Sequence, residues 1–256
     1  MRLTKKLKEA IIEHAQAEYP NECCGVVVNK EYIPCTNLST IPTDQFIIDP
    51  RDLVKAESRG SIDAYVHSHP NGSSEPSEPD LVQMGKHNKP WIICGYSPSE
   101  PSEVAIHNPN NFVLPLLGRS YFHGLQDCYS IVKDYYQREL QITLNDYDRS
   151  ELWWETEDTE SLYLKNFKTE GFLEVKDDTI NKHDVILFKI GRSFHVNHAG
   201  IFLGDGKLTS ESAPDVLGDS LFIHHPYNKQ SLREIYGESW RDRTVHIIRH
   251  KDLIQC

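Results

Sequence analysis

Residues 66–80 read VHSHPNGSSEPSEPD and hold four side chains suited to metal and proton chemistry: His67, His69, Ser77 and Asp80. Two imidazoles and a carboxylate are a sufficient protein shell for a catalytic Zn²⁺ that keeps its fourth position for water. Upstream, PNECCG carries a lone acid, Glu22, before an apolar stretch. A separate carboxylate of that kind can be the base that takes the water's proton. His67 and His69 are two apart, so on a strand both side chains leave the same face. Asp80 falls in the first turn of the helix expected next, where a carboxylate suits the positive dipole end. Ser77, just before it, can hydrogen-bond a developing oxyanion. The same Ser-x-x-Asp is also the pattern of a capping box, and a lone His-x-His arises by chance in a chain with 13 histidines.

A second group lies downstream. In GRSYFHGLQDCYSIV, Cys128 sits at or near a helix start, where partial positive charge favours thiolate. A catalytic thiol also needs an imidazole, and that imidazole needs an orienting partner. NHAGIFLGDG offers His198 at a strand start, and SLFIHHP offers His224 at the end of the next strand, with His225 as its rival. The plain alternative is a core thiol on an apolar helix face, with the histidines unrelated to it.

The elements that must position these groups follow from periodicity. Residues 4–18 predict an amphipathic helix with Thr4 as N-cap, followed by a buried strand at 24–28 and a short one at 46–48. Pro50 opens a helix. Strands are expected at 62–67, 91–95 and 104–107, with a helix over 77–87 between the first two. NPNNFVLPLLG breaks the pattern and reads as a linker, taken as 108–117. A helix over 125–140 follows, then strands at 185–190, 199–203, 221–224 and 244–249. The aromatic and acidic stretch near 150–175 fits neither pattern. The fold class is α+β, in two domains.

At 256 residues, 38% hydrophobic and 10% aromatic, the chain can bury real cores. A net charge of −11 argues against nucleic acid or an anionic membrane surface as the main partner. No apolar signal region follows Met1 and no apolar run reaches about 18 residues, so neither export nor a transmembrane segment is expected, and synthesis in a cytoplasm is. The six cysteines are then expected as free thiols.

PNECCG with HSHP…SEPD resembles the JAMM/MPN metallopeptidases over about residues 1–107. That resemblance implies a cytidine-deaminase-like α/β sandwich, one Zn²⁺ on His67, His69 and Asp80, Glu22 as general base, and Ser77 stabilising the tetrahedral intermediate. The order DC…HAGIFLG…H resembles the NlpC-type cysteine peptidases, papain-like α+β enzymes that cut bacterial wall peptides, over about residues 118–250. It implies Cys128 as nucleophile, His198 as base, His224 as orienter and Tyr121 as an aid near the oxyanion, in a domain spanning 118–256. Asp-Cys-Tyr-Ser departs from the family's Asp-Cys-Ser-Gly, so the substrate pocket is expected to differ. The pairing of the two motifs is similar to a family of lambda-like phage tail assembly proteins. It implies tail-tip proteins as partners, peptidoglycan peptide as substrate and the virion tail tip as location. The alternatives are a cytoplasmic peptidase acting on wall-derived peptides or isopeptides, and a structural tail component with residual sites.

Overall fold

The computed structural model describes residues 1–110, 112–149, 153–155, 161–176 and 179–254. Asn111 of the expected linker, most of 150–160 and Cys256 lie outside them. The chain divides into two compact units, Met1–Val113 and Leu114–Cys256. No described helix is long and apolar enough to cross a membrane.

In the first unit, α1 (Lys5–Glu18) begins where the Thr4 hydroxyl accepts the Leu7 N–H, and it buries Leu7, Ile11 and Ala15, one per turn. Next come β1 (Cys24–Val28), β2 (Glu31–Cys35), α2 (Pro50–Glu57), β3 (Ile62–Pro70), α3 (Glu78–His87), β4 (Trp91–Ser97) and β5 (Glu100–His107). The strands order as β2-β1-β3-β4-β5. Only β3 and β4, joined through α3, run parallel. α1 covers Val27, Ala64, Val66, Ile92 and Cys94 on one face. Ala56 of α2 joins Cys24, Val26, Val28 and Ile62 on the other. β1 is therefore buried at all five positions, and reads as an unbroken apolar run for that reason.

Two expectations change here. The strand at 46–48 does not form: only Ile48 makes a bridge, to Asn37, and the Phe46 ring instead stacks 4.8 Å from that of His67. β2 escaped the periodicity because Glu31 and Pro34 break it; as an edge strand it tolerates the proline.

The second unit holds α4 (Cys128–Leu140), α5 (Leu162–Asn166), β6 (Phe172–Glu174), β7 (Val185–Phe188), β8 (His198–Gly204), β9 (Leu221–His224), β10 (Leu232–Ile235), α6 (Glu238–Arg241) and β11 (Thr244–His250). Its antiparallel sheet orders as β10-β9-β8-β7-β11-β6. α4 packs Ile131, Val132, Tyr135 and Tyr136 onto Val185, Leu187, Ala199, Ile201 and Leu203. The opposite face gathers Ile186, Phe188, Phe202 and Phe222 under Tyr236 and Trp240.

α4 starts at Cys128 rather than Leu125 because Asp127 caps it, accepting the N–H groups of Tyr129 and Ser130. β7 stops at Phe188, where the Asn197 amide takes over the backbone of Ile190. β6 and β10, too short or too charged for the pattern, complete the sheet. Leu114 and Leu116 are buried in this unit, and Arg119, fully buried, is held by Pro115 O and Asp134.

Candidate metal centre and candidate cysteine centre

Pairing of β1 with β3 sets Cys24 opposite His67. The Ser68 N–H donates to Cys23 O, and the Ser68 hydroxyl accepts the Cys23 N–H. Extended two residues before β1, that register points Glu22 toward His69, whose charge acts on it. At the N-terminal end of α3, Ser77 is the N-cap and closes a complete capping box with Asp80. Both readings of Ser-x-x-Asp thus hold together: the cap is what aims the Asp80 carboxylate at β3. The loop between them lies so close to β4 that a Cβ on Gly95 would meet Gly72 O at 2.6 Å.

His67, His69 and Asp80 converge, each offering one ligand atom within 4.8 Å of the others. His67 Nε2 lies 2.9 Å from His69 Nε2, and the two nitrogens lie 3.3 and 3.2 Å from the oxygens of Asp80. Donors about 2.1 Å from a tetrahedral centre stand roughly 3.4 Å apart, so the set fits an ion of that size. His69 Nδ1 donates to Ser73 O at 2.9 Å, which leaves the Nε2 lone pair facing the other two groups. Two nitrogen donors and one carboxylate are a donor set that suits zinc.

The electrostatics are those of a closed site. Burial works to raise the Asp80 carboxyl, yet hydrogen bonds from His67, His69 and Ser77 win and hold it well below the usual range. The fully buried His67 is pushed down by desolvation. Glu22 is only 7% exposed. Burial, reinforced by Asp80 and Asp44 against the opposing pull of His69, raises its carboxyl to about 8.

In the second unit, Cys128, His198, His224 and Tyr121 line one cavity of about 560 Å³. His198 Nε2 meets His224 Nδ1 at 2.9 Å. His225, the rival for third place, instead sets its ring edge-on to Tyr121 at 5.3 Å. Gly200 of HAGI pairs with His224 across the strands, and a Cβ there would strike the Phe222 ring at 2.7 Å. The glycine lets the aromatic floor rise under the histidine pair. Tyr121 turns its hydroxyl to His123 Nδ1 at 3.1 Å.

Cys128 does sit at a helix N-terminus, but burial works against the thiolate expected there. Burial, then the Asp127 charge, pushes the thiol up to about 11, against hydrogen bonds from Tyr163 and the Ala199 amide. Desolvation outweighs the helix end. Tyr163, whose hydroxyl lies 3.0 Å from the sulfur, was hidden in the aromatic stretch that periodicity could not place. Also unforeseen is Arg149, which pairs with Asp127 at 2.7 Å and lies over the Tyr129 ring at 5.1 Å. The tyrosine in Asp-Cys-Tyr-Ser thus has a structural partner.

Comparison with known proteins agrees with the two units. A family described as prokaryotic homologs of the JAB domain matches residues 4–107, and the NlpC/P60 family matches residues 118–249. The chain is 34% identical to the tail tip assembly protein K of Escherichia phage N15, over 98% of this chain and 97% of that one. It is 33% identical to the protein of the same name from Escherichia phage lambda, over 80% and 89%. A solution structure of a Desulfitobacterium hafniense protein, 24% identical, covers 42% of this chain and 89% of its own at a TM-score of 0.34.

Proposed function

The chain belongs to the tail tip assembly protein K family, with a JAB-like domain followed by an NlpC/P60 domain, and from that premise we propose that it helps assemble a phage tail tip and opens the cell wall with two peptidase centres. One is a zinc metallo(iso)peptidase in 1–107. The other, in 118–256, is a cysteine peptidase acting on peptidoglycan stem peptides, and 108–117 joins them. Tail-tip proteins are its partners and the virion tail tip its place. The observation that carries this reading is the assembly of two separate reactive sets, His67–His69–Asp80 and Cys128–His198–His224, each within its own unit.

In the first centre His67, His69 and Asp80 would hold the metal, which when bound would supply Lewis-acid activation of water and of the scissile carbonyl. Glu22 moves the proton: in its ionised form, a carboxyl raised to about 8 by burial can take one from water and return it to the leaving amine. Ser77 donates to Asp80 Oδ2 at 2.6 Å and so orients that ligand. It must turn off the carboxylate to serve a developing oxyanion.

In the second centre His198 takes the proton of Cys128 as the sulfur leaves Tyr163 and attacks the peptide carbonyl. His224 keeps the His198 ring in place, and Tyr121 flanks the oxyanion. The raised thiol favours one other reading, a structural tail component whose cysteine site is residual. Digestion of purified peptidoglycan by the full-length protein, with products identified by mass, decides. Release of stem-peptide fragments that Cys128→Ala abolishes is expected; intact peptidoglycan under all conditions leaves the structural reading.

A further inference from the structure

His198 and His224 cannot both donate across their 2.9 Å contact. For His198 to receive the thiol proton at Nδ1, its Nε2 must carry hydrogen and donate to His224 Nδ1. His224 is then protonated at Nε2, a fully buried atom with no hydrogen-bond partner aligned to it among the described residues. The group within reach is a carboxylate: Glu234 Oε2 lies 3.4 Å away, at ion-pair distance though off the hydrogen-bond angle. That oxygen is itself fixed, accepting the Trp240 indole N–H at 2.9 Å. The Trp240 ring closes over both histidines, 4.9 Å from His224 and 6.1 Å from His198. Strand register explains the meeting. Glu234 pairs with Phe222 on β9, and residue 224 shares that face two positions on.

We propose that Glu234 is a positioning residue of the cysteine centre, holding His224 in the Nε2–H tautomer so that His198 presents a free Nδ1 to Cys128. The inference rests on the cysteine-peptidase reading. The chain of groups is Glu234 carboxylate, His224, His198, thiol. The proton moves only between sulfur and His198, and the carboxylate faces the imidazolium this creates from the far end. Other charged or titratable groups around the pair are His225, Asp127 and, beside the thiol, Arg149.

The test needs no identified substrate. Iodoacetamide labelling of Cys128 in the full-length protein, followed by peptide mass across pH, reads thiolate formation directly. Burial sets the wild-type inflection on the alkaline side. Glu234→Ala should move the inflection up by about one unit or more, a roughly tenfold loss of thiolate below it. Glu234→Gln, which keeps an acceptor for His224 Nε2–H, should recover most of that shift. Glu234 is partly exposed on an edge strand, so both variants should fold, as circular dichroism would verify. An unmoved inflection in Glu234→Ala, or a glutamine variant no better than alanine, overturns the positioning role alone. A Cys128 that takes no label at any pH, with peptidoglycan also left intact, overturns the cysteine-peptidase reading and this inference with it.

Discussion

Burial works on Glu22 and Cys128 in the same sense, pushing the carboxyl up to about 8 and the thiol up to about 11. The proposed metal ligands do the opposite, with Asp80 held low by the imidazoles and Ser77 around it. This division separates ligand from base and can be measured. His67→Ala with His69→Ala should abolish zinc in the purified protein, because two of three donors are gone; equal zinc in variant and wild type contradicts the site. Glu22→Gln should retain zinc yet lose first-centre hydrolysis, and a variant that loses its metal would make Glu22 a ligand instead.

The buried imidazoles carry a pH signature. Desolvation first, then neighbouring histidines, pushes His198 down to about 3 and His224 to about 2. Unfolded, both titrate near 6.5. Below that pH the unfolded chain binds protons the native state refuses, so stability must fall as pH drops toward 3, by up to about 1.4 kcal/mol per pH unit per imidazole. Urea midpoints for unfolding of the second unit at about pH 7 and about pH 5 should differ in that sense, and His224→Asn should narrow the gap. An unchanged midpoint would mean the pair is not held neutral.

Among the elements, those that carry chemistry were the most legible. His-x-His on a strand, a Ser-x-x-Asp helix start and HAGI at a strand head each couple a local rule to a reactive residue, and β3, α3 and β8 form where those rules put them. What sequence could not show came from groups that meet across the fold. Tyr163 on the thiol, Arg149 on Asp127 and Phe46 against His67 lie 21 or more residues from their partners, and no period links them. β10, a short edge strand reading LREI, hid Glu234 in the same way. The α4 start shows what such a hidden partner does. Asp127, 2% exposed, both caps the helix and neutralises the buried Arg149. Asp127→Ala should therefore cost more than a cap alone, about 3–5 kcal/mol, since it strands a buried guanidinium. Chemical denaturation reads this, and a loss near 1 kcal/mol would reduce Asp127 to an ordinary cap.

On the scale of the whole chain, each reactive set is built entirely from one unit. The first closes around β1, β3 and α3, with every ligand before residue 81. The second draws on α4, β8, β9 and β10. Between them the sequence NPNNFVLPLLG changes character part-way. Leu114 and Leu116 are buried in the second core, and the Leu116 and Leu117 N–H groups are accepted by Glu211, itself paired with Arg138. Val113 and Phe112, by contrast, are exposed. The stretch open to a protease is therefore the Asn/Pro-rich part before Leu114, not all of 108–117. Limited proteolysis should cut there first and yield two stable fragments. The N-terminal one should keep zinc, and the C-terminal one should keep labelling of Cys128 with the pH profile of the intact protein. Fragments that precipitate, or a C-terminal piece whose thiol loses that profile, would mean the two centres depend on one another and the chain works as one enzyme rather than two joined end to end.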